Sequence, residues 1–279
     1  METIIADTQV DGNSMKTVVM ALSGGMDSTC LLMHYLAQDY RAVCISYRYG
    51  QKHSIEIEMA SSTISLCKTK GLNVQHHIVD LSPAMSLFDS ALTSSEQDVP
   101  LGHYEEDQMK QTVVPNRNAI FASILYGFAL SETKRSGQKV VLALGVHSGD
   151  HAIYPDCRPE FYQALQTAFE IGNWESELVE FDLPYLHGDK TSILQDALET
   201  TLQLGFDFDT VLKNTITSYN PDKHGRSSGK SGSDIERILA FHSIDRIDPI
   251  EYQQPWNEVL KHALQVEVEH KGSDEHESR

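Results

Sequence analysis

Residues 17–28 read Thr17-Val18-Val19-Met20-Ala21-Leu22-Ser23-Gly24-Gly25-Met26-Asp27-Ser28. The first six are apolar or β-branched, as a strand buried on both faces requires. A helical pattern follows Ser28, so the glycines sit between a strand end and a helix start. Such a turn binds phosphate: glycines let backbone N–H groups crowd an anion, and the helix N-terminus adds aligned N–H groups with a partial positive charge. Ser23 and Ser28 add hydroxyl donors, and Asp27 is suited to position a magnesium ion. Ala21, Leu22, Ser23, Gly24, Gly25, Met26, Asp27 and Ser28 are therefore the candidate nucleotide site. The plain alternative is a glycine turn without a ligand, and later segments argue against it.

Working outward, short β-rich runs alternate with helical spacing. Residues 41–47, 74–79, 140–144 and 178–181 read as strands. Residues 55–66, 119–130, 161–171 and 191–204 read as helices, the last closed by Gly205. This order predicts an α/β fold with a parallel sheet and helices on both faces. Ligands gather at the carboxyl ends of such strands, and polar clusters recur there. Tyr49, Gln51 and His53 follow the second strand; Gly145, His147 and Asp150 follow the strand at 140; Lys190 follows the strand at 178. Residues 81–112 are acidic and aperiodic, a loop or lid that ends in Val113-Val114-Pro115-Asn116-Arg117-Asn118.

The 279 residues carry 40 acids against 22 bases, a formal charge of −18 that argues against stable nucleic-acid binding while leaving room for a small nucleotide. Cys30, Cys44, Cys67 and Cys157 lie far apart and form no CxxC pair, which argues against a sequence-local zinc cluster or a disulfide framework. No apolar run reaches the roughly 18 residues of a membrane span, and no signal-peptide zones are present. A cytoplasmic protein is expected, without a membrane partner. Residues 1–16 and 266–279 lack apolar periodicity and are expected to be mobile. The expected division is a mobile extension over 1–16, a nucleotide-binding domain over 17–212, a C-terminal segment over 213–256, and a helix end with an acidic tail over 257–279.

The pattern S-G-G-x-D-S is that of the PP-loop ATP pyrophosphatases, whose fold is Rossmann-like. Over residues 17–252 the chain further resembles the 7-cyano-7-deazaguanine synthase family of queuosine biosynthesis. SGGMDS, YGQKH, GHYEEDQMKQTVVPNRN at 102–118, GVHSGDHAIYPDCRPEF at 145–161 and ERILAF at 236–241 carry the resemblance. It implies that ATP, with Mg²⁺, activates the carboxylate of 7-carboxy-7-deazaguanine, that ammonia gives the amide, and that a second ATP dehydrates the amide to the nitrile. Adenylation brings two anions together, and loop N–H groups, magnesium and Lys190 would offset the repulsion. Ser23, Asp27, Ser28 and Lys190 are the candidate catalytic residues; a solvent-exposed helix-start lysine is the alternative for Lys190. Arg117 and Arg158 have the planar fork suited to carboxylate or phosphate, or to a structural salt bridge. Asn118 and Asp156 could read the polar edge of a deazaguanine. His147 and Asp150 are further substrate-side candidates, although a loop histidine beside a carboxylate is as often merely hydrogen-bonded. Cys157 lies beside Arg158, but attack by an amine on the adenylate needs no thiol.

The chain departs from the resemblance near its C-terminus. The family's four zinc-binding cysteines align with Ser218, Ser228, Ser231 and Asp234, so no zinc is expected. Ser233-Asp234-Ile235-Glu236 fits a capping box with Ser233 as N-cap. Gly225-Arg226-Ser227-Ser228-Gly229-Lys230-Ser231 imitates a Walker loop but is one residue short between its glycines, with no strand before it. The lost cysteines favour a zinc-less paralogue of the kind found in anti-phage operons, which would form an amide or join the deazaguanine to a protein amine. The ordinary nitrile-forming synthase is the alternative, and an inactive sensor of ATP or deazaguanine a second. A homodimer is compatible with the resemblance, and nothing in the sequence requires it.

Overall fold

The structure, a computed structural model, describes residues 15–50, 55–88, 90, 113–147, 149, 154–218, 222 and 224–277. Its centre is a parallel sheet of β1 (Thr17–Ala21), β2 (Arg41–Arg48), β3 (Val74–Asp80), β4 (Val140–Ala143) and β5 (Val179–Asp182) in the order β3-β2-β1-β4-β5. The expected fold class is the observed one. Alternate residues of β1 serve opposite faces, as a pleated strand dictates. Val18 and Met20 join one apolar core with α1 (Met26–Ala37), α2 (Ile55–Thr69), α6 (Lys190–Gln203) and α7 (Phe208–Lys213). Val19 joins the other with α3 (Ser82–Met85), α4 (Arg117–Ser136) and α5 (Pro159–Gly172).

The C-terminal part packs α8 (Gly232–Ser243) on α9 (Trp256–Glu277) through Ile235, Ile238, Val259 and Ala263. Residues from 266 onward, expected as a mobile tail, instead continue α9 to Glu277. Polar composition hid this helix: Glu, Lys and Gln are good helix formers, and the Gln265 amide donates to Glu269 one turn on at 2.7 Å. Residues 1–14 and most of the expected lid, 91–112, lie outside the described residues.

The strand order reverses between β1 and β4, and that crevice lies at their carboxyl ends. Loops after all the inner strands converge there. Among the described residues, no helix is long and apolar enough to cross a membrane.

Candidate active site

The turn after β1 is shaped by close approach. Gly24 has φ +87°, and a Cβ there would fall 2.0 Å from the Glu56 carbonyl oxygen in the first turn of α2. Only glycine satisfies both demands. Gly25 is the N-cap of α1 and no side chain caps this helix, so its first-turn N–H groups face the crevice as an anion site. The hydroxyls of Ser23 and Ser28 lie 3.0 Å apart, and the Gly25 N–H donates to Ser23 Oγ at 3.2 Å. The irregular segment after α7 closes on this turn, with the Ile216 N–H donating to the Gly24 carbonyl at 3.0 Å.

A cleft of about 240 Å³ opens beside the turn. At its polar end Lys190 is buried at the first residue of α6, which rules out the exposed lysine considered above. Its Nζ lies 3.3 Å from Asp27 Oδ2, 3.4 Å from Glu236 Oε2 and 2.9 Å from His147 Nε2. His147 is fully buried, and its Nδ1 also faces the Gly149 N–H at 3.1 Å. A neutral imidazole has one acceptor nitrogen, so it cannot accept from Gly149 and Lys190 together. With Nδ1 accepting from Gly149, Nε2 has no lone pair for Lys190, and the two carboxylates are the acceptors that face the ammonium. Asp27 Oδ1 is buried and has no hydrogen-bond partner among the described residues.

The other wall of the cleft is aromatic. Tyr47 stacks on Phe121 with ring centroids 4.1 Å apart, and Tyr49 meets Phe121 edge-on at 5.6 Å. The Arg117 guanidinium lies 6.0 Å from the Tyr49 ring and 5.8 Å from the Tyr154 ring. Burial pushes the Tyr49 phenol up to about 12, with Glu56 adding to the shift and Arg117 opposing it. Such a surface suits a planar heteroaromatic base flanked by a cation that faces an anion.

The structure separates the remaining candidates. Ala21, Leu22, Met26, Gly145 and Asn118 line the cleft with the residues above. Asp156 is instead a brace: its Oδ2 accepts the Asn118 N–H at 3.3 Å in the first turn of α4, while the Asn118 amide donates to the Asp156 carbonyl and Cys157 Sγ at 3.4 Å. Arg158 is exposed as the N-cap of α5 and does not line the cleft. Gln51, His53 and Asp150 lie outside the described residues. Sequence reasoning missed Tyr47, Phe121, Tyr154 and Glu56 as lining residues. Tyr154 stands beside the quoted PDC turn, a signal that could have found it.

Three of the residues aligned above with zinc positions, Ser228, Ser231 and Asp234, join Ser227 in a hydrogen-bonded knot. Asp234 is fully buried and accepts from Ser227 Oγ at 2.5 Å, Ser228 Oγ at 3.5 Å and the Ser231 N–H at 3.4 Å. The Asp234 N–H donates back to Ser231 Oγ at 3.2 Å, and Ser233 Oγ donates to the Thr217 carbonyl beside buried Ser218. The N-cap of α8 is thus Ser231, with Asp234 as its box partner, and not Ser233. The cap lies two residues before the expected one, which frees Glu236 to face Lys190. Three hydroxyls and one carboxylate lack the thiolates or imidazoles of a structural zinc site and do not fit that ion. Magnesium has other needs. Among the described residues no three His, Cys, Asp or Glu side chains gather for a metal, yet magnesium is commonly held by one or two carboxylates with waters and substrate phosphates. The buried Asp27 Oδ1 beside an open helix N-terminus fits that pattern.

Burial raises the Asp234 carboxyl above its ordinary range, against the pull of Ser227 and Ser231. A raised folded value means that the folded chain binds this proton more tightly than the unfolded chain. The contribution of Asp234 is then most favourable below its unfolded value and declines as pH rises through the folded one. Asp234→Asn removes that dependence. Relative to the variant, the parent chain should gain stability on acidification from neutrality towards about pH 4, as measured by urea unfolding of both chains.

The family described as Queuosine biosynthesis protein QueC matches residues 17–245. The chain belongs to that family. The 7-cyano-7-deazaguanine synthase of Caldicellulosiruptor saccharolyticus is 43% identical over 235 residues, covering 84% of this chain and 95% of that protein. The enzyme of the same name from Pseudoalteromonas translucida is 41% identical over 236 residues, covering 85% and 98%. Among solved structures, NMN synthetase from Francisella tularensis matches with a TM-score of 0.38 and 12% identity over 90% of this chain and 87% of that one. The QueC match runs through β1 to β5 and α1 to α8, so it takes in the phosphate turn, the aromatic wall and the knot.

Proposed function

We propose that this chain is an ATP-dependent C–N ligase that converts 7-carboxy-7-deazaguanine to the nitrile with ammonia and two ATP. The observation that carries it is the joining, in one cleft, of an uncapped phosphate turn with an aromatic slot flanked by Arg117, in a chain with relatives named for that nitrile. The substrate carboxylate attacks the α-phosphorus of ATP and pyrophosphate leaves. Ammonia attacks the acyl carbon, AMP leaves, and loss of a proton gives the amide. The amide oxygen then attacks the α-phosphorus of a second ATP and pyrophosphate leaves; departure of AMP and loss of both N–H protons leave the nitrile.

In this scheme the α1 N-terminus and the Ser23 and Ser28 hydroxyls hold the phosphates, and Lys190 meets the charge that gathers on the α-phosphate. A magnesium ion held by Asp27 with phosphate oxygens would supply further charge neutralisation. Arg117 orients the carboxylate and Asn118 reads the base edge. The unit boundaries expected from sequence, 17–212 and 213–256, are part of the same proposal.

The relatives' names favour ammonia over the protein amine that the lost cysteines suggested. Incubation with ATP, ammonium and 7-carboxy-7-deazaguanine should yield AMP, pyrophosphate and the free nitrile by mass spectrometry. Absence of all three sinks the enzyme proposal. A deazaguanine mass added to a co-expressed protein, without free nitrile, would replace ammonia with a protein amine.

A further inference from the structure

Glu236 stands two residues beyond Asp234 in α8 and reaches from the C-terminal segment to the polar end of the cleft. Its Oε2 is 3.4 Å from Lys190 Nζ, and Asp27 Oδ2 is 3.3 Å from the same nitrogen. Lys190 is in an adverse place for a cation. Its side chain is 8% exposed, and it begins α6, where the positive end of the helix repels it. A charge so placed needs carboxylate neighbours. Asp27 is one, but its second oxygen is buried without a hydrogen-bond partner among the described residues and points to a competing cation. Glu236, whose buried Oε2 faces the same ammonium, is the other.

Packing also confines Glu236. A Cβ on Gly149 would lie 2.4 Å from Glu236 Oε1 and 2.9 Å from His147 Cε1, so the loop after β4 presses on this carboxylate and the buried ring. At the start of α8, the Asp234 knot fixes the helical register that sends Glu236 inward.

We propose that Glu236 is a positioning residue that keeps the Lys190 ammonium on the phosphate when Asp27 is engaged elsewhere. Its identification with α-phosphate transfer rests on the ATP-activating function proposed above. Through Glu236 the C-terminal segment thereby acts on the phosphate end of the site.

A double-mutant cycle between Glu236→Gln and Lys190→Met tests the idea. Binding of the non-hydrolysable α,β-methylene analogue of ATP is measured by calorimetry, and pyrophosphate release by steady-state kinetics. Glu236→Gln should weaken analogue binding about 3–10-fold and lower kcat about 10–100-fold, leaving KM for the carboxylate substrate within about twofold. In the Lys190→Met background the same change should cost less than about twofold in either measurement. Glu236→Asp should recover part of the loss, and serves also where Glu236→Gln impairs folding. An undiminished kcat and analogue affinity in Glu236→Gln, or an equal loss with and without Lys190, would overturn the proposal. The two readings fail separately: a parent chain that binds the analogue but releases no pyrophosphate rejects the ligase function, while the binding cycle still decides whether Glu236 acts through Lys190.

Discussion

Asp27→Asn should lower pyrophosphate release by about 10²–10³-fold or more, with binding of an ATP analogue partly retained. The exchange keeps size and helix geometry, so α1 and its open N-terminus survive. It removes a negative charge from the point where Asp27 Oδ2 meets Lys190 at 3.3 Å and where Oδ1 is buried without a hydrogen-bond partner among the described residues. The amide has one acceptor oxygen and two donors; it is a poor ligand for a hard divalent cation and presents N–H groups to an ammonium. Loss confined to kcat would place Asp27 in the reacting state, whereas equal loss in analogue binding would make it a ground-state contact. Turnover within about tenfold of the parent chain would remove Asp27 from the chemistry altogether.

Arg237→Ala should cost about 3–5 kcal/mol of stability, the usual effect of stripping one partner from a buried ion pair. Arg237 and Asp248 have fully buried side chains, joined in a fork at 2.7 and 2.9 Å. The same guanidinium donates to Thr215 Oγ1 at 2.7 Å, Thr217 Oγ1 at 3.0 Å and the Leu212 carbonyl at 3.3 Å. Nearby Asp248 raises the Arg237 pKa further, against the penalty of burial. Truncation leaves a buried carboxylate with the Tyr252 hydroxyl and the Ile250 N–H but no counter-charge. For a chain of this length the loss translates into a fall in Tm of roughly 6–20 °C, read by calorimetry or circular dichroism. Arg237→Lys keeps the charge without the fork and should fall between the two. Since Thr215 and Thr217 flank the Ile216 N–H that supports the Gly24 carbonyl, nucleotide affinity should decline with stability. A Tm within about 3 °C of the parent would show that Arg237 does not anchor this segment.

Legibility of the molecule followed burial. Strands fully enclosed by helices appear as β-branched or apolar runs, and the phosphate turn can be read because its glycines answer a local backbone demand. Other features depend on partners distant in the chain. Tyr47 and Phe121 stack from β2 and α4, and no local spacing announces such a pair. Two serines two residues apart each begin a plausible capping pattern, and the choice of Ser231 is made by the burial of Asp234, which the sequence does not display. Arg158 carries the fork expected of an anion contact but is exposed at the N-cap of α5, outside the cleft lining. The charged end of α9 was misjudged for the opposite reason: a helix anchored by Val259 and Ala263 can continue on propensity and one-turn side-chain pairs after its apolar stripe ends.

The serine–aspartate knot also bears on when the chain can mature. A segment held by four thiolates and zinc waits on ion delivery and on reduced cysteines, and its yield follows the cell's metal supply. Hydrogen bonds from Ser227, Ser228 and Ser231 to Asp234 form from the chain itself. Seating of Glu236 beside Lys190 is then expected to be insensitive to metal supply, which refolding with and without a zinc chelator would check.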